Sequence, residues 1–259
     1  MKKIIVMQLL ITTINCNAQK IQNEDLVKII NTASLTNNKN TKNKIVKGLI
    51  APTVLIGYGL IELNNKSLQN VDLTTKVEII EDHPTFKTKI DNYLQYSPAI
   101  AVYGLNALGI KGKNNFKDRT FIYGLSTVIS SAFVLSIKKI TNVQRPDASG
   151  FNSFPSGHTT TAFAAAEFLR QEYKDVSPWY GIAGYTAATA TGILRMYNNK
   201  HWVSDVVAGA GFGILSTKLA YWVYPIIQKR GFKTKGTNTF IAPFYQSGGG
   251  GISMLYHFK

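Results

Sequence analysis

FPSGHTTTAFAAAEFL, residues 154–169, decides the reading of this chain. Pro155 closes an irregular stretch, and the Ala-rich run beyond Thr159 has the composition of a helix. Ser156 therefore reads as an N-cap whose hydroxyl satisfies one of the free amides of the first turn. Gly157 has no side chain, so the backbone can approach an anion where the free N–H groups and the positive end of the helix dipole point outward. His158 lies on the same rim, within reach to act as a general acid. Taken alone, the segment reads equally well as a capped helix with a polar His in its first turn.

Two further clusters flank it. Upstream stand Lys138 and, after six residues, Arg145-Pro146. A Lys point charge and a forked Arg donor together neutralise phosphate oxygens, while Pro146 fixes the chain direction after the Arg. On their own, such residues at a helix end are commonly solvated or complement the dipole. Downstream come Arg195, five residues, His201, three residues and Asp205. A His and a carboxylate four apart meet at a helix start, so Asp205 accepts from one imidazole nitrogen and leaves the other to attack phosphorus. Arg195 supplies a third cation. A lone His/Asp pair at this spacing is more often a structural hydrogen bond; the chemical reading rests on the three clusters together.

The rest of the chain is consistent with one catalytic unit. Apolar stretches at 49–61, 99–110, 121–137, 159–169, 180–194 and 206–227 predict six main helices, hence an all-α bundle. Alternation over 240–245 and 252–258, around Ser247 and four glycines, predicts a short C-terminal β-hairpin covering the bundle. The expected organisation is a signal peptide at 1–18, a polar arm at 19–47, the bundle at 48–232 and a tail at 233–259. Lys2 and Lys3, the apolar run to Ile14 and the small residues near Ala18 carry the signal-peptide reading, and with it export to the periplasm or cell envelope. Cys16 is the only cysteine, so disulfides and thiolate metal sites are excluded from the chain beyond the signal.

Lys and Arg outnumber Asp and Glu by 29 to 14, a net charge of +15 that favours anionic partners. The basic residues lack the spacing of any nucleic-acid module, so a phosphate-bearing small molecule or acidic lipid is the expected partner and nucleic acid is not. Several helices are short for a bilayer or carry polar side chains. The expectation is a membrane-associated bundle outside the inner membrane or only partly spanning it; protection of the Arg145 loop from protease in intact spheroplasts would overturn it.

Ten positions in order, Lys138-x6-Arg145-Pro146, Pro155-Ser156-Gly157-His158 and Arg195-x5-His201-x3-Asp205, closely resemble the type 2 phosphatidic acid phosphatase and vanadium haloperoxidase superfamily. The resemblance runs from about Asp91 to Ile227. It implies a helical bundle of that kind, with Lys138, Arg145, Ser156, Gly157 and Arg195 binding phosphate. It also implies that His158 protonates the leaving oxygen, His201 attacks phosphorus, Asp205 orients His201, and no metal or organic cofactor takes part. Leu194 departs from the pattern, since many members carry Ser before the Arg. One neutral hydrogen bond is worth only about 0.5–1.5 kcal/mol, so activity is expected to survive with weaker phosphate affinity. The expected substrates are phosphates of membrane lipids, of phosphatidate, prenyl diphosphate or lipid A type. Alternatives are a soluble broad-specificity periplasmic acid phosphatase, a vanadate-dependent haloperoxidase and a non-catalytic anion-binding envelope protein.

Overall fold

The structure, a computed structural model, describes residues 39–231 and the backbone of 239–246 and 249–256. The signal-peptide segment and most of the polar arm lie outside the described residues. The chain divides into two units, Met1–Leu49 and Ile50–Lys259. Of the first, the described part is the start of one helix; the second contains everything else.

Eight helices follow in order among the described residues: α1 (Lys39–Glu62), α2 (Lys66–Asp82), α3 (Asp91–Leu94), α4 (Ser97–Ala107), α5 (Phe116–Thr141), α6 (Gly157–Tyr173), α7 (Pro178–Tyr197) and α8 (Val203–Gly231). All six apolar stretches are helical. The chain adds α2 and α3, which hydrophobic periodicity does not announce, and α1 begins at Lys39, inside the stretch read as a polar arm. Strands β1 (Thr239–Gln246) and β2 (Gly249–Tyr256) pair antiparallel; their side chains are outside the described residues.

Local chemistry sets the helix ends. The Asn115 side chain accepts from Asp118 N at 2.9 Å to start α5. Asp118 sits at its positive end and Lys138 and Lys139 at its negative end, each sign complementing the dipole. Asn142, with φ of 49°, takes the left-handed conformation that ends the helix. Asn65 caps α2 through Ser67 N and Leu68 N, and Ser177 with Pro178 opens α7.

Helix α6 is the centre of the bundle, packed against α7 and α8 and contacted by α4 and α5. It is buried on nearly every side, and its Ala162, Ala164, Ala165 and Ala166 let neighbouring helices come close. Phe168, Leu169 and Tyr173 form the core with Ala99 and Val102 of α4. The α8 partner face is glycine: a Cβ on Gly209 would lie 2.8 Å from the Ser156 carbonyl oxygen, and one on Gly213 only 2.4 Å from that of Thr160. Both obstacles are backbone and cannot swing away. Gly213→Ala should therefore push α8 off α6 and cost about 1–3 kcal/mol, the usual range for overpacking. A melt of the detergent-solubilised protein checks this; an unchanged midpoint would mean that the contact is looser than its distances imply.

Polar groups buried in the bundle are grouped rather than isolated. Glu167 accepts from Arg170 Nε and Nη2, both at 2.7 Å, and lies 2.9 Å from Lys218. Glu172 faces Arg119 at 3.6 Å and accepts from Tyr221 at 2.6 Å. Removing one partner of such a pair leaves a buried uncompensated charge, at about 3–5 kcal/mol.

By length and composition, three helices are long and apolar enough to cross a membrane: 45–62, 116–141 and 203–228. The exposed residues of the first two include many large aliphatic side chains, with Val54 64%, Val128 65%, Leu135 68% and Ile140 80% accessible. Such faces are unusual on a water-soluble monomer, and they associate this protein with a membrane. These three are among the eight described helices; polar residues such as Glu167 and Arg170 lie on α6, at the centre of the bundle.

Candidate active site

Three elements bring the ten-residue pattern together: the end of α5 with the loop after it, the start of α6, and the α7–α8 junction. Ser156 caps α6 as expected, its Oγ facing the Thr159 amide. Its own amide donates to the Asp205 carbonyl oxygen at 3.0 Å, joining the starts of α6 and α8. Phe154, fully buried among Ala208, Phe212, Phe133 and Ile137, fixes the loop from beneath. The Gly157 and His158 amides, first in their helix, have no acceptor within it.

His201 is 3% exposed and Asp205 fully buried. Nδ1 of His201 lies 3.2 Å from Asp205 Oδ2, which also accepts from Trp202 N at 2.9 Å and from the Ser153 hydroxyl. A carboxylate can only accept, so the proton belongs on Nδ1 and the lone pair on Nε2. Among the described residues Nε2 takes part in no hydrogen bond. Burial, opposed by Asp205 and reinforced by the positive charge of Lys138 and Arg195, pushes the His201 pKa down to about 4. Its imidazole is neutral at physiological pH, the state a nucleophile requires.

His158 is lowered to about 4 as well, by burial first and then by Arg195, with Arg145 and Lys138 adding to it and Asp91 opposing. The fields of all three cations thus converge on one imidazole. Its Nε2 meets Asn92 Oδ1 at 2.8 Å. Lys138 Nζ is held by the carbonyls of Asn152 and Ser153, and Arg145 Nε by the Asn152 side chain at 2.7 Å. Arg195 Nη1 donates to Asp91 Oδ2 at 2.6 Å, whereas its buried Nε has no partner. Free guanidinium capacity at the centre of a positive cluster suits an oxyanion.

The structure therefore brings together all the residues singled out from sequence: Lys138, Arg145, Ser156, Gly157, His158, Arg195, His201 and Asp205. It adds others that the sequence did not single out. Ser153 shares Asp205 Oδ2 with His201, its Oγ standing 3.4 Å from Nδ1. Asp91 and Asn92 on α3 meet Arg195 and His158. Asp72, from α2, accepts from Ser204 N at 3.0 Å and from Ser204 Oγ at 2.5 Å, steadying the start of α8. Only Ser153 adjoins a motif; the rest are long-range partners with no local signal. Among the described residues, no group of three or more His, Cys, Asp or Glu is arranged to hold a metal.

The family profile described as PAP2 superfamily matches residues 119–229, somewhat less than half of the chain, and over these residues the helical core is similar to that superfamily. Over 144 residues the chain is 42% identical to a lipid A 1-phosphatase of Porphyromonas gingivalis, covering 55% of this chain and 32% of that one. It is 43% identical over 67 residues to a lipid A 1-phosphatase of Rhizobium johnstonii, covering 25% of each. The chain thus spans a third or less of the length of these curated relatives. A solved transmembrane PAP2-type phosphatidylglycerolphosphate phosphatase from Bacillus subtilis superposes with a TM-score of 0.48 at 22% identity, covering 70% of this chain and 98% of that one.

Proposed function

We propose that this protein is a metal-independent lipid phosphatase of the cell envelope, removing phosphate from a lipid of the lipid A type through a phosphohistidine on His201. The observation that carries it is the buried neutral imidazole, its Nδ1 engaged by Asp205 and its Nε2 uncommitted, within the field of Lys138 and Arg195. The similarity to lipid A 1-phosphatases and the exposed aliphatic faces of α1 and α5 support the lipid substrate. In this reading residues 1–18 are an export signal, 19–47 an arm, 48–232 the catalytic bundle and 233–259 a tail whose hairpin decorates it.

Lys138, Arg145, Arg195 and the first amides of α6 at Ser156-Gly157 surround the phosphoryl oxygens and stabilise their charge as the ester bond loosens. His201 Nε2 attacks phosphorus in line, Asp205 stabilises the charge developing on the imidazole, and His158 gives its proton to the departing oxygen. Neutral His158 then activates the water that hydrolyses the phosphohistidine. Phosphate release in EDTA from micellar lipid A, phosphatidate and phenyl phosphate, each against His201→Ala, tests the reading. A signal equal to the blank on all three would refute it, and preference for phenyl phosphate would make the protein a broad-specificity phosphatase instead.

The depressed His158 pKa adds a pH prediction. Three cations and burial keep the imidazole unprotonated at neutral pH, but a bound dianion offsets those charges and raises its pKa. Binding of tungstate, a dianion at neutral pH, should therefore take up a proton, and its affinity should fall as pH rises. Calorimetry in buffers of different ionisation enthalpy reads the uptake. It should vanish in His158→Ala; uptake persisting there would place the proton elsewhere.

A further inference from the structure

A cavity of about 410 Å³ opens beside His158, between the α3–α4 junction and the facing sides of α5 and α6. Gly157 and His158 are among its lining residues, so it adjoins the first amides of α6. Its lining also includes Leu135, 68% exposed on α5, and Tyr96, 48% exposed. The cavity thus adjoins both the general acid and a surface suited to lipid.

Its chemistry is not that of an acyl or prenyl slot. Val134 and Leu135 are its aliphatic side chains, while hydroxyl and amide groups make up most of the remainder. Several of these are uncommitted. Gln95 donates through Nε2 to the Asn92 carbonyl at 2.9 Å, which leaves its Oε1 as an acceptor. Ser131, Thr161 and the Tyr96 hydroxyl make no side-chain hydrogen bond among the described residues. Ser131 and Thr161 face the cavity from α5 and α6, two helices packed on one another, so their separation is fixed by the bundle.

In an in-line displacement the leaving group departs on the side opposite the nucleophile, toward the acid that protonates it. We propose that this cavity is the leaving-group subsite, and that Gln95, Tyr96, Ser131 and Thr161 select a hydroxyl-bearing, sugar-type leaving group over a bare hydrocarbon alcohol. The inference rests on the phosphatase reading above and goes further by assigning the selecting side chains. The sugar occupies the polar cavity and its acyl chains pass out beside Leu135 along α5. Sites built to hydrogen-bond hydroxyls discriminate strongly against analogues that lack them, because their polar groups are then left unpaired.

The test compares wild type with Ser131→Leu/Thr161→Leu on three substrates in the same micelles: a lipid-linked glucosamine 1-phosphate, farnesyl phosphate and phenyl phosphate. Wild type should prefer the glycosyl phosphate over farnesyl phosphate in kcat/KM. The double variant should lower that ratio by about tenfold or more, with turnover of farnesyl phosphate rising. A fold defect would depress every substrate together and leave the ratio intact. A ratio unchanged within about threefold, while phenyl phosphate is still cleaved above the His201→Ala blank, overturns the subsite and spares the phosphatase. Inactivity of wild type on all three substrates overturns both.

Discussion

His201→Ala is expected to reduce turnover by on the order of 10⁴-fold or more on every phosphate ester, whatever its leaving group. In the proposed mechanism the imidazole contributes the bond-forming atom itself and His158 serves the leaving group, and no neighbouring group would replace it: the Ser153 hydroxyl is already donating to Asp205 Oδ2. Phosphate binding should survive, because Lys138, Arg145 and Arg195 are untouched. A tungstate titration of the variant therefore accompanies the rate measurement; retained binding with lost turnover is the expected pair. Wild type quenched in alkaline detergent should in addition retain label from a ³²P-ester in an alkali-stable, acid-labile bond, and His201→Ala should not. Ser153→Ala grades the same argument. A hydrogen bond to a charged group is worth about 1.5–3 kcal/mol, so losing it from Asp205 should slow turnover by about 10- to 100-fold.

His158→Ala should show a different signature. Loss of a general acid costs about 10²- to 10⁴-fold when the departing oxygen is a poor leaving group. A phenoxide leaves with little help, so phenyl phosphate should be hydrolysed by the variant at a rate much nearer wild type than an alkyl or glycosyl phosphate. Comparison of kcat across aryl phosphates of graded leaving-group pKa measures this directly. The variant should show the steeper dependence; parallel slopes would remove His158 from the protonation step. Asn92→Leu should move in the same direction by a smaller amount, since it frees the imidazole that Asn92 holds at 2.8 Å without deleting it.

How much of this was legible in the sequence follows from where each signal resides. Lys138, Arg145, Ser156, His158, Arg195, His201 and Asp205 could be read because their chemistry is unusual in combination and their order is fixed along the chain. The Ser156 cap could be read because capping is local. Helix α2 could not, because the apolar residues of its sequence, KSLQNVDLTTKVEIIED, are spread between polar ones and mark no buried face: Leu73, Val77 and Ile80 are exposed. Its significance lies in Asp72 meeting Ser204 across 132 positions. Asp91 and Arg195 stand 104 apart, and Asn92 and His158 66 apart. Such pairs are made by packing, and a carboxylate or amide in a polar stretch carries no mark of the partner it will find. Ser153 was nearest to being legible, one residue before Phe154, yet a Ser in an irregular segment is ordinary until Asp205 is seen beside it.

The hydrogen bond from the Ser156 amide to the Asp205 carbonyl has an evolutionary consequence. It ties the start of α6, which bears His158, to the start of α8, just after His201, by main-chain atoms, a link that side-chain substitutions leave in place. Residues around the cavity beside α5 can then drift without disturbing the reaction geometry. Substitutions in that cavity would then be expected to change which ester is accepted while the catalytic centre stays in place.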